Sequence, residues 1–427
     1  MSRNKEQKFF YGWVIIGGCL LLSAASGIIS GVLSTFIRPV SEALGVSRSA
    51  FSMTNTAINI TIMCAMPFVA QIFTKVPFKL TVILACCMAS LSLIGYSFAK
   101  SIGTFYLLSV VCGLSNCFMN AVPIVILISN WFFDKRGVAT SISFAGMGIS
   151  GMLLSPVAAY VIEQYSYHAA YRLLGITFFL LSVPYTLLLV RVKPEDMGLK
   201  ALGADKLTQE AAHNVKGFTY GESIRQPSFW LFATAIFLIS LTAFGVQQHC
   251  VSYWVDLGYS SVSAANWFSL MMAVGIAGKI ATGTLYDHTN IKRASALLCI
   301  MAAASYLLFL GSQISILLLL GVALFGLSAG VQTIPPTYVT NRLFGDRDYS
   351  KNYGLITTIY YFGMAVGIQF SAFCFDTFHS YRPAFTLYAA FILFALGLIF
   401  MAEKAARNIW RKRFGTDYRG NAASQIT

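Results

Sequence analysis

Apolar runs of about 20 residues recur along almost the whole of this 427-residue chain, each long enough to cross a hydrocarbon core about 30 Å thick as a helix. Inside such a core every backbone N–H and C=O must be satisfied by the protein, which admits only helices and closed barrels. The runs are continuous rather than alternating, so a barrel is excluded. Only 11% of the residues are charged, where a soluble chain carries roughly a quarter. The expected fold class is therefore an all-α polytopic membrane protein. Twelve transmembrane helices are predicted, at about 11–36, 49–72, 80–98, 103–131, 138–162, 171–191, 227–254, 263–285, 294–311, 314–340, 352–375 and 383–402. The polar, basic start from Met1 to Lys8 runs straight into the first span and reads as an anchor rather than a cleaved signal.

The net charge of +14 is explained by topology. With both termini on one side, the basic residues collect there: Arg3, Lys5 and Lys8, Lys75 and Lys79, Lys135 and Arg136, the 191–225 loop, Lys292 and Arg293, Arg342, Arg347 and Lys351, and the tail. Arg38, Arg48, Lys100, Arg172 and Arg382 fall on the other side. This bias is the signature of a cytoplasmic face and leaves no basic patch to assign to nucleic acid. The compact loops point to a bacterial inner membrane. The nine cysteines all fall within spans, with no disulfide or metal-ligand spacing, and no cofactor is expected.

The one long interior polar segment, Val192 to Arg225, separates two groups of six spans. The expected organisation is a six-helix half over 1–192, a linker over 193–225, a second six-helix half over 226–405 and a basic tail over 406–427. Such a layout suits a transporter built of parallel repeats. Span 4 leaves through Asn130-Trp-Phe-Phe-Asp-Lys-Arg-Gly137 and span 10 through Asn341-Arg-Leu-Phe-Gly-Asp-Arg-Asp348, an echo that suggests internal duplication.

Several segments together carry a family resemblance. Gly283-Thr-Leu-Tyr-Asp287 with Lys292-Arg293 resembles the glycine–acid–basic motif between spans 8 and 9 of the major facilitator superfamily. The matching loop Gln71 to Lys79 lacks the acid. Phe10-Tyr-Gly-Trp-Val14, Asn130-Trp-Phe with Lys135-Arg-Gly137, Pro194-Glu-Asp-Met-Gly-Leu199, Asp256-Leu-Gly-Tyr-Ser260, and Phe344-Gly345 with Tyr353-Gly354 resemble the monocarboxylate transporter and oxalate/formate antiporter group. The resemblance implies a twelve-helix major facilitator fold and an anion carrier working by alternating access, with proton symport as the default coupling and a monomer as the expected state. It also implies a gating role for Gly283, Asp287 and Arg293, and for Asp134 and Arg136 at the inner turn after span 4.

Lys279 is the one Lys, Arg, Asp or Glu placed near the middle of a span, in Val274-Gly-Ile-Ala-Gly-Lys-Ile-Ala-Thr-Gly283. A charge at that depth costs a few kcal/mol even on lenient scales and marks a functional site. In the resembled family a Gly-Arg pair stands there and the arginine engages the substrate carboxylate. Here the pair is Gly278-Lys279, and lysine offers a point charge that can shed its proton. Two readings stand for Lys279: an anchor for a small organic anion, or a gating residue pairing with Asp287. The resemblance implies a second lysine midway along span 11 in the oxalate-type members; span 11 here has no basic residue in its middle, and a single fixed cation favours a monocarboxylate over oxalate. Asn116 and Asn120 in span 4, Gln332 and Tyr338 beside the Pro335-Pro336 break of span 10, and Tyr361 in span 11 are candidate pocket residues, each of which can equally serve helix packing. His249 is a candidate proton carrier beside Lys279 itself, and no buried Asp or Glu is expected anywhere in the bundle. The expected function is secondary transport of small monocarboxylate anions such as lactate, pyruvate or acetate, with oxalate/formate-type exchange as the alternative and efflux of other small organic compounds behind it. No cluster of nucleophile, base and metal ligands suggests an enzyme.

Overall fold

The computed structural model describes residues 10–132, 136–199, 201–202, 217–345 and 347–414, with the backbone alone at Pro67, Ala70, Thr74 and Arg136. Long helices dominate it: α1 (Gly12–Leu44), α2 (Arg48–Lys75), α3 (Phe78–Tyr96), α4 (Ile102–Trp131), α5 (Arg136–Gln164), α6 (Tyr167–Leu188), α7 (Pro227–Asp256), α8 (Ser261–His288), α9 (Ile291–Phe309), α10 (Ser315–Phe344), α11 (Tyr349–Phe378) and α12 (Arg382–Phe414). By length and composition, eleven of these can cross a membrane, and α2 is the further long helix of 28 residues.

Two separate cores organise the bundle. One joins side chains from Ile15 to Val190, and the other joins side chains from Phe218 to Trp410. Within each, tight helix approach depends on glycine. At Gly278 a Cβ would lie 2.2 Å from the Gly326 carbonyl oxygen and 2.8 Å from Leu327 Cα, so α8 and α10 meet backbone to backbone. In a bilayer such close packing replaces the hydrophobic drive that water would supply. Gly278→Ala should therefore cost about 1–3 kcal/mol through forced separation of the two helices, read as a lower unfolding midpoint in detergent. Gly17→Ala, with nothing within 4 Å of the new Cβ, is the matched control that should leave the midpoint unchanged.

Two interruptions repeat between the halves. α4 breaks at Asn120 (φ −108°, ψ −104°) and resumes as the 11-residue segment Ala121–Trp131. α10 loosens into a 3-10 turn at Ala329–Gln332 and resumes as the 11-residue segment Ile334–Phe344. Each resumed segment carries proline near its start, Pro123 in one and Pro335 with Pro336 in the other, where a missing N–H costs least. Each also ends strapped to the connecting chain. Asn130 Nδ2 and Trp131 Nε1 donate to the carbonyls of Val192 and Arg191, and Phe218 N donates to the Phe344 carbonyl. The two breaks thus stand at corresponding places, in the fourth helix of each group of six.

The helix ends depart from the sequence expectation in two places. α1 continues past residue 36 through a 3-10 turn at Val32–Phe36 to Leu44, supported by the Arg38–Glu42 pair at 2.8 Å. α12 continues past residue 402 to Phe414. That extension is amphipathic: Glu403, Ala406 and Trp410 turn into the bundle, and Trp410 Nε1 donates to the Leu343 carbonyl at 2.7 Å. Glu403 is 1% exposed and is neutralised by Lys292 at 3.2 Å and by Arg407. The expectation that no acid lies buried is thus corrected; a span ended by hydropathy stops one residue too early to see this one.

The short helix Tyr220–Ile224 opens with a capping box between Thr219 and Glu222, and Arg413 at the end of α12 adds an ion pair at 2.7 Å. The Thr219 backbone N–H, and then Arg413, hold the Glu222 carboxyl down at about 2, below its ordinary 4.5. Because the folded value is the lower one, this support is complete above about pH 4.5 and fades as pH falls toward 2. Amide exchange at Thr219–Ile224, corrected for intrinsic rate, should accelerate between pH 5 and pH 2.5, and Glu222→Gln should remove that dependence.

Candidate functional site

The two halves touch along two pairs of crossing helices, α5 with α8 and α2 with α11. Against Gly148 and Gly151 of α5 lie Ile276 and Met272 of α8, and the Ser269 hydroxyl donates to the Met152 carbonyl at 2.5 Å. On the other pair the Thr56 hydroxyl donates to the Ala365 carbonyl at 3.4 Å, and Gln369 Nε2 donates to the Ser49 carbonyl at 3.3 Å. Gln248 of α7 adds a bond to the Ser30 carbonyl of α1.

A charged latch lies beyond these crossings, on the face away from the linker. Arg48 opens α2, only 8% exposed, and its guanidinium grips Asp256 at the end of α7 in a bidentate pair at 2.5 and 2.8 Å. The same group donates to the Tyr381 hydroxyl at 3.1 Å and lies 3.7 Å over the Phe375 ring. Asp376 of α11 accepts from the backbone N–H groups of Arg48 and Ser49 at 3.1 and 3.0 Å. A carboxylate of one half thereby caps the positive end of a helix of the other. The far face is closed.

Lys279 sits just to the linker side of the α8 residues that contact α5 at Gly148, Gly151 and Met152. On α8, Gly275, Gly278 and Thr282 face α10 while Met272 and Ile276 face α5. Residues three and four apart share a helix face, so Lys279 falls between these two contact strips, and the exposed Ala277 and Ile280 fall opposite. It follows Ile276, the last α5 contact of this set, by about 4.5 Å of helical rise. The residue is half-buried and makes no ion pair or hydrogen bond with any described residue. Tyr361 occupies the equivalent place on α11, one turn toward the linker from Ala365. It packs on the first-half core and beside Phe244, Met364 and Ile368 of the second, and its hydroxyl is free among the described residues. Lys279 and Tyr361 thus lie about one turn to the linker side of Ile276 and Ala365, which touch the other half.

The other sequence candidates separate. Asn116 is buried and accepts a hydrogen bond from the Ser26 hydroxyl at 2.9 Å, tying α4 to α1, while its Nδ2 makes no bond to a described residue. Asn120 sits at the α4 break with a buried Oδ1 that has no partner among the described residues. Gln332 lies in the α10 break, 8% exposed. Tyr338 is committed elsewhere: its hydroxyl donates to the Tyr286 carbonyl at 2.9 Å and accepts from Arg342 at 2.9 Å, joining α10 to the linker end of α8. His249 is fully buried and has both ring nitrogens engaged, Nδ1 with the Tyr381 hydroxyl at 3.3 Å and Nε2 with the Ile368 carbonyl at 2.9 Å. It supports the far-face latch from beneath. Among the gating candidates, Asp287 and Arg293 are exposed on the linker face with no partner among the described residues, and Gly283 lies 3.9 Å (as a built Cβ) from Ile334. Asp134 and the Arg136 side chain lie outside the described residues. Arg48, Asp256 and Asp376 went unread as a group, since each appears in sequence as a charge at a span end.

The model of the Major Facilitator Superfamily matches residues 19–368. The chain belongs to the major facilitator superfamily. It is thus a multi-pass membrane transport protein for a small molecule, not an enzyme, and the twelve-helix fold read from the sequence stands. Monocarboxylate transporter 12 of Rattus norvegicus is 23% identical over 420 residues, covering 93% of this chain and 86% of its own. Monocarboxylate transporter 4 of the same species is 21% identical over 388 residues, covering 90% and 81%. The resemblance drawn from motifs is borne out by these relatives. Among solved structures, a bacterial homolog of the human lysosomal transporter Spinster, in an inward-facing and unoccupied conformation, matches with a TM-score of 0.73 at 13% identity over 94% of this chain and 98% of that one. A nucleoside transporter, NupG, matches with a TM-score of 0.68 at 12% identity over 91% and 99%. At such identities the structures speak for the fold alone.

Proposed function

We propose that this carrier moves small monocarboxylate anions, of the size of acetate, lactate or pyruvate, by alternating access coupled to protons. The observation that carries the reading is Lys279: a half-buried cation without a counter-ion among the described residues, one turn to the linker side of the α8 residue Ile276 that touches α5. An ammonium so placed is completed by one carboxylate. Tyr361, the free amide nitrogen of Asn116, Asn120 and Gln332 are the groups available to shape the rest of the pocket. In alternating access a far face held shut by such a latch pairs with opening toward the linker. With the basic bias of the loops, that side is the cytoplasm of a bacterial inner membrane, where both termini also lie. The names of the relatives support the substrate class. On α11, Lys351 lies at the linker end beside Asp348 at 3.7 Å, so no second cation is offered at mid-helix for a dianion.

The test is uptake of labelled acetate, lactate, pyruvate, oxalate and formate into proteoliposomes, with and without an inward proton gradient. Gradient-driven uptake of a monocarboxylate supports the reading. Oxalate entry that requires internal formate replaces it with the exchanger, and exclusion of every acid by folded protein ends the carboxylate assignment.

A further inference from the structure

We infer that Lys279 carries the coupling proton as well as the anion, so that the carrier crosses its occluded form either as ammonium with carboxylate or as empty neutral amine. The inference rests on the carboxylate reading above and adds the coupling mechanism. In one half-cycle the anion enters with Lys279 protonated, and the pair is neutral overall. On the other side the carboxylate leaves, the Nζ–H bond gives its proton to water, and the neutral amine returns. One proton and one monoanion cross together, with no net charge moved.

The geometry leaves few other carriers. The helices packed on α8 are α5, α7, α9 and α10. Their charged groups stand at helix ends: Arg136 and Glu163 on α5, Asp256 on α7, Lys292 and Arg293 on α9, and Arg342 on α10. At membrane depth these helices bring His249, Cys250 and Tyr253 from α7 and Cys299 and Tyr306 from α9, with Tyr338 at the linker end of α10; α11 adds Tyr360 and Tyr361. Thiols and phenols are neutral at physiological pH. His249 has both nitrogens occupied and serves the latch. The described acids that are buried or half-buried are spoken for: Asp256 by Arg48, Asp376 by the start of α2, Glu403 by Lys292 and Arg407, Glu222 by Arg413 and the Thr219 N–H, and Asp348 by Lys351 and the Tyr220 N–H. An empty carrier with charged Lys279 would therefore take an unpaired ammonium through a closed, low-dielectric interior, which is costly. Lysine escapes by deprotonation; arginine cannot.

That contrast supplies the experiment. Parent and Lys279→Arg are reconstituted, and two fluxes of labelled lactate are compared: exchange against internal lactate, and net uptake driven by an inward proton gradient, with an entrapped pH dye following the proton. In Lys279→Arg, net uptake should fall at least about tenfold further than exchange does, because a loaded arginine is neutral overall while an empty one keeps its charge. Equal losses in both fluxes, or net uptake preserved with its proton, would overturn the inference. Lys279→His provides a second arm that does not depend on the arginine variant folding. A titratable cation of lower ordinary pKa should keep net uptake but move its pH profile acid-ward by more than one unit, and an unmoved profile would place the proton elsewhere. Absence of both fluxes from the parent would instead defeat lactate as substrate, and with it the reading beneath.

Discussion

Lys279→Ala should abolish measurable carboxylate transport while leaving the empty protein as stable as the parent. Losing one member of a buried charge pair costs about 2–5 kcal/mol of binding, which at about 1.4 kcal/mol per tenfold is roughly 30-fold to several thousand-fold in affinity. The unloaded fold contains no partner for the ammonium among the described residues, so truncation breaks no ion pair. It removes a desolvated charge, and the unfolding midpoint in detergent should hold or rise. Two measurements on one variant separate the roles. Lost transport with an unchanged or higher midpoint is the signature of a substrate anchor. A clearly lower midpoint would show that Lys279 holds the resting structure together and would return it to the gating reading.

What could be read in the sequence follows from the range over which each feature is encoded. The helical class and the depth of Lys279 are local properties: a single charge in a stretch otherwise made of small and apolar residues stands out without any knowledge of neighbours. The capacity of Asn116 and Tyr338 to hydrogen-bond was equally plain, but their partners were not. Ser26 lies 90 positions from Asn116 and the Tyr286 carbonyl lies 52 from Tyr338, and nothing in the local pattern says that a packing neighbour will reach the polar atom first. The latch is the extreme case. Arg48 meets Asp256 across 208 positions and Asp376 across 328, so the three appear in sequence as separate loop charges of no consequence. Glu403 was hidden for a different reason. Its helix leaves the apolar regime and continues as an amphipathic one, which hydropathy registers as an end although the buried face runs on through Trp410.

Asp256→Asn should release the far face. The Arg48–Asp256 pair joins side chains 9% and 24% exposed. Breaking a pair this deep by neutralising one member costs about 3 kcal/mol or more, because the other charge remains buried. The closed form should lose about 100-fold in population relative to a form open on that face. Val251, 4% exposed, lines a cleft on this face together with Thr35, Ser252 and Val255, and Val251→Cys provides the reporter. Its alkylation by a membrane-impermeant maleimide should be slow in the otherwise unchanged protein and faster by up to about 100-fold when Asp256→Asn is added. Asp376→Asn should accelerate it about tenfold, since the N–H groups of Arg48 and Ser49 donate to different carboxylate oxygens and the amide keeps only one acceptor, losing a hydrogen bond to a charged group at about 1.5 kcal/mol or more. The decisive comparison is the double variant Arg48→Met with Asp256→Leu. If closure depends on leaving no charge unpaired, apolar replacement of both members should bring alkylation back toward the slow rate. If closure depends on the attraction itself, the double variant should react as fast as Asp256→Asn. An unchanged rate in the single variant would mean that the α5–α8 and α2–α11 crossings close this face without the latch.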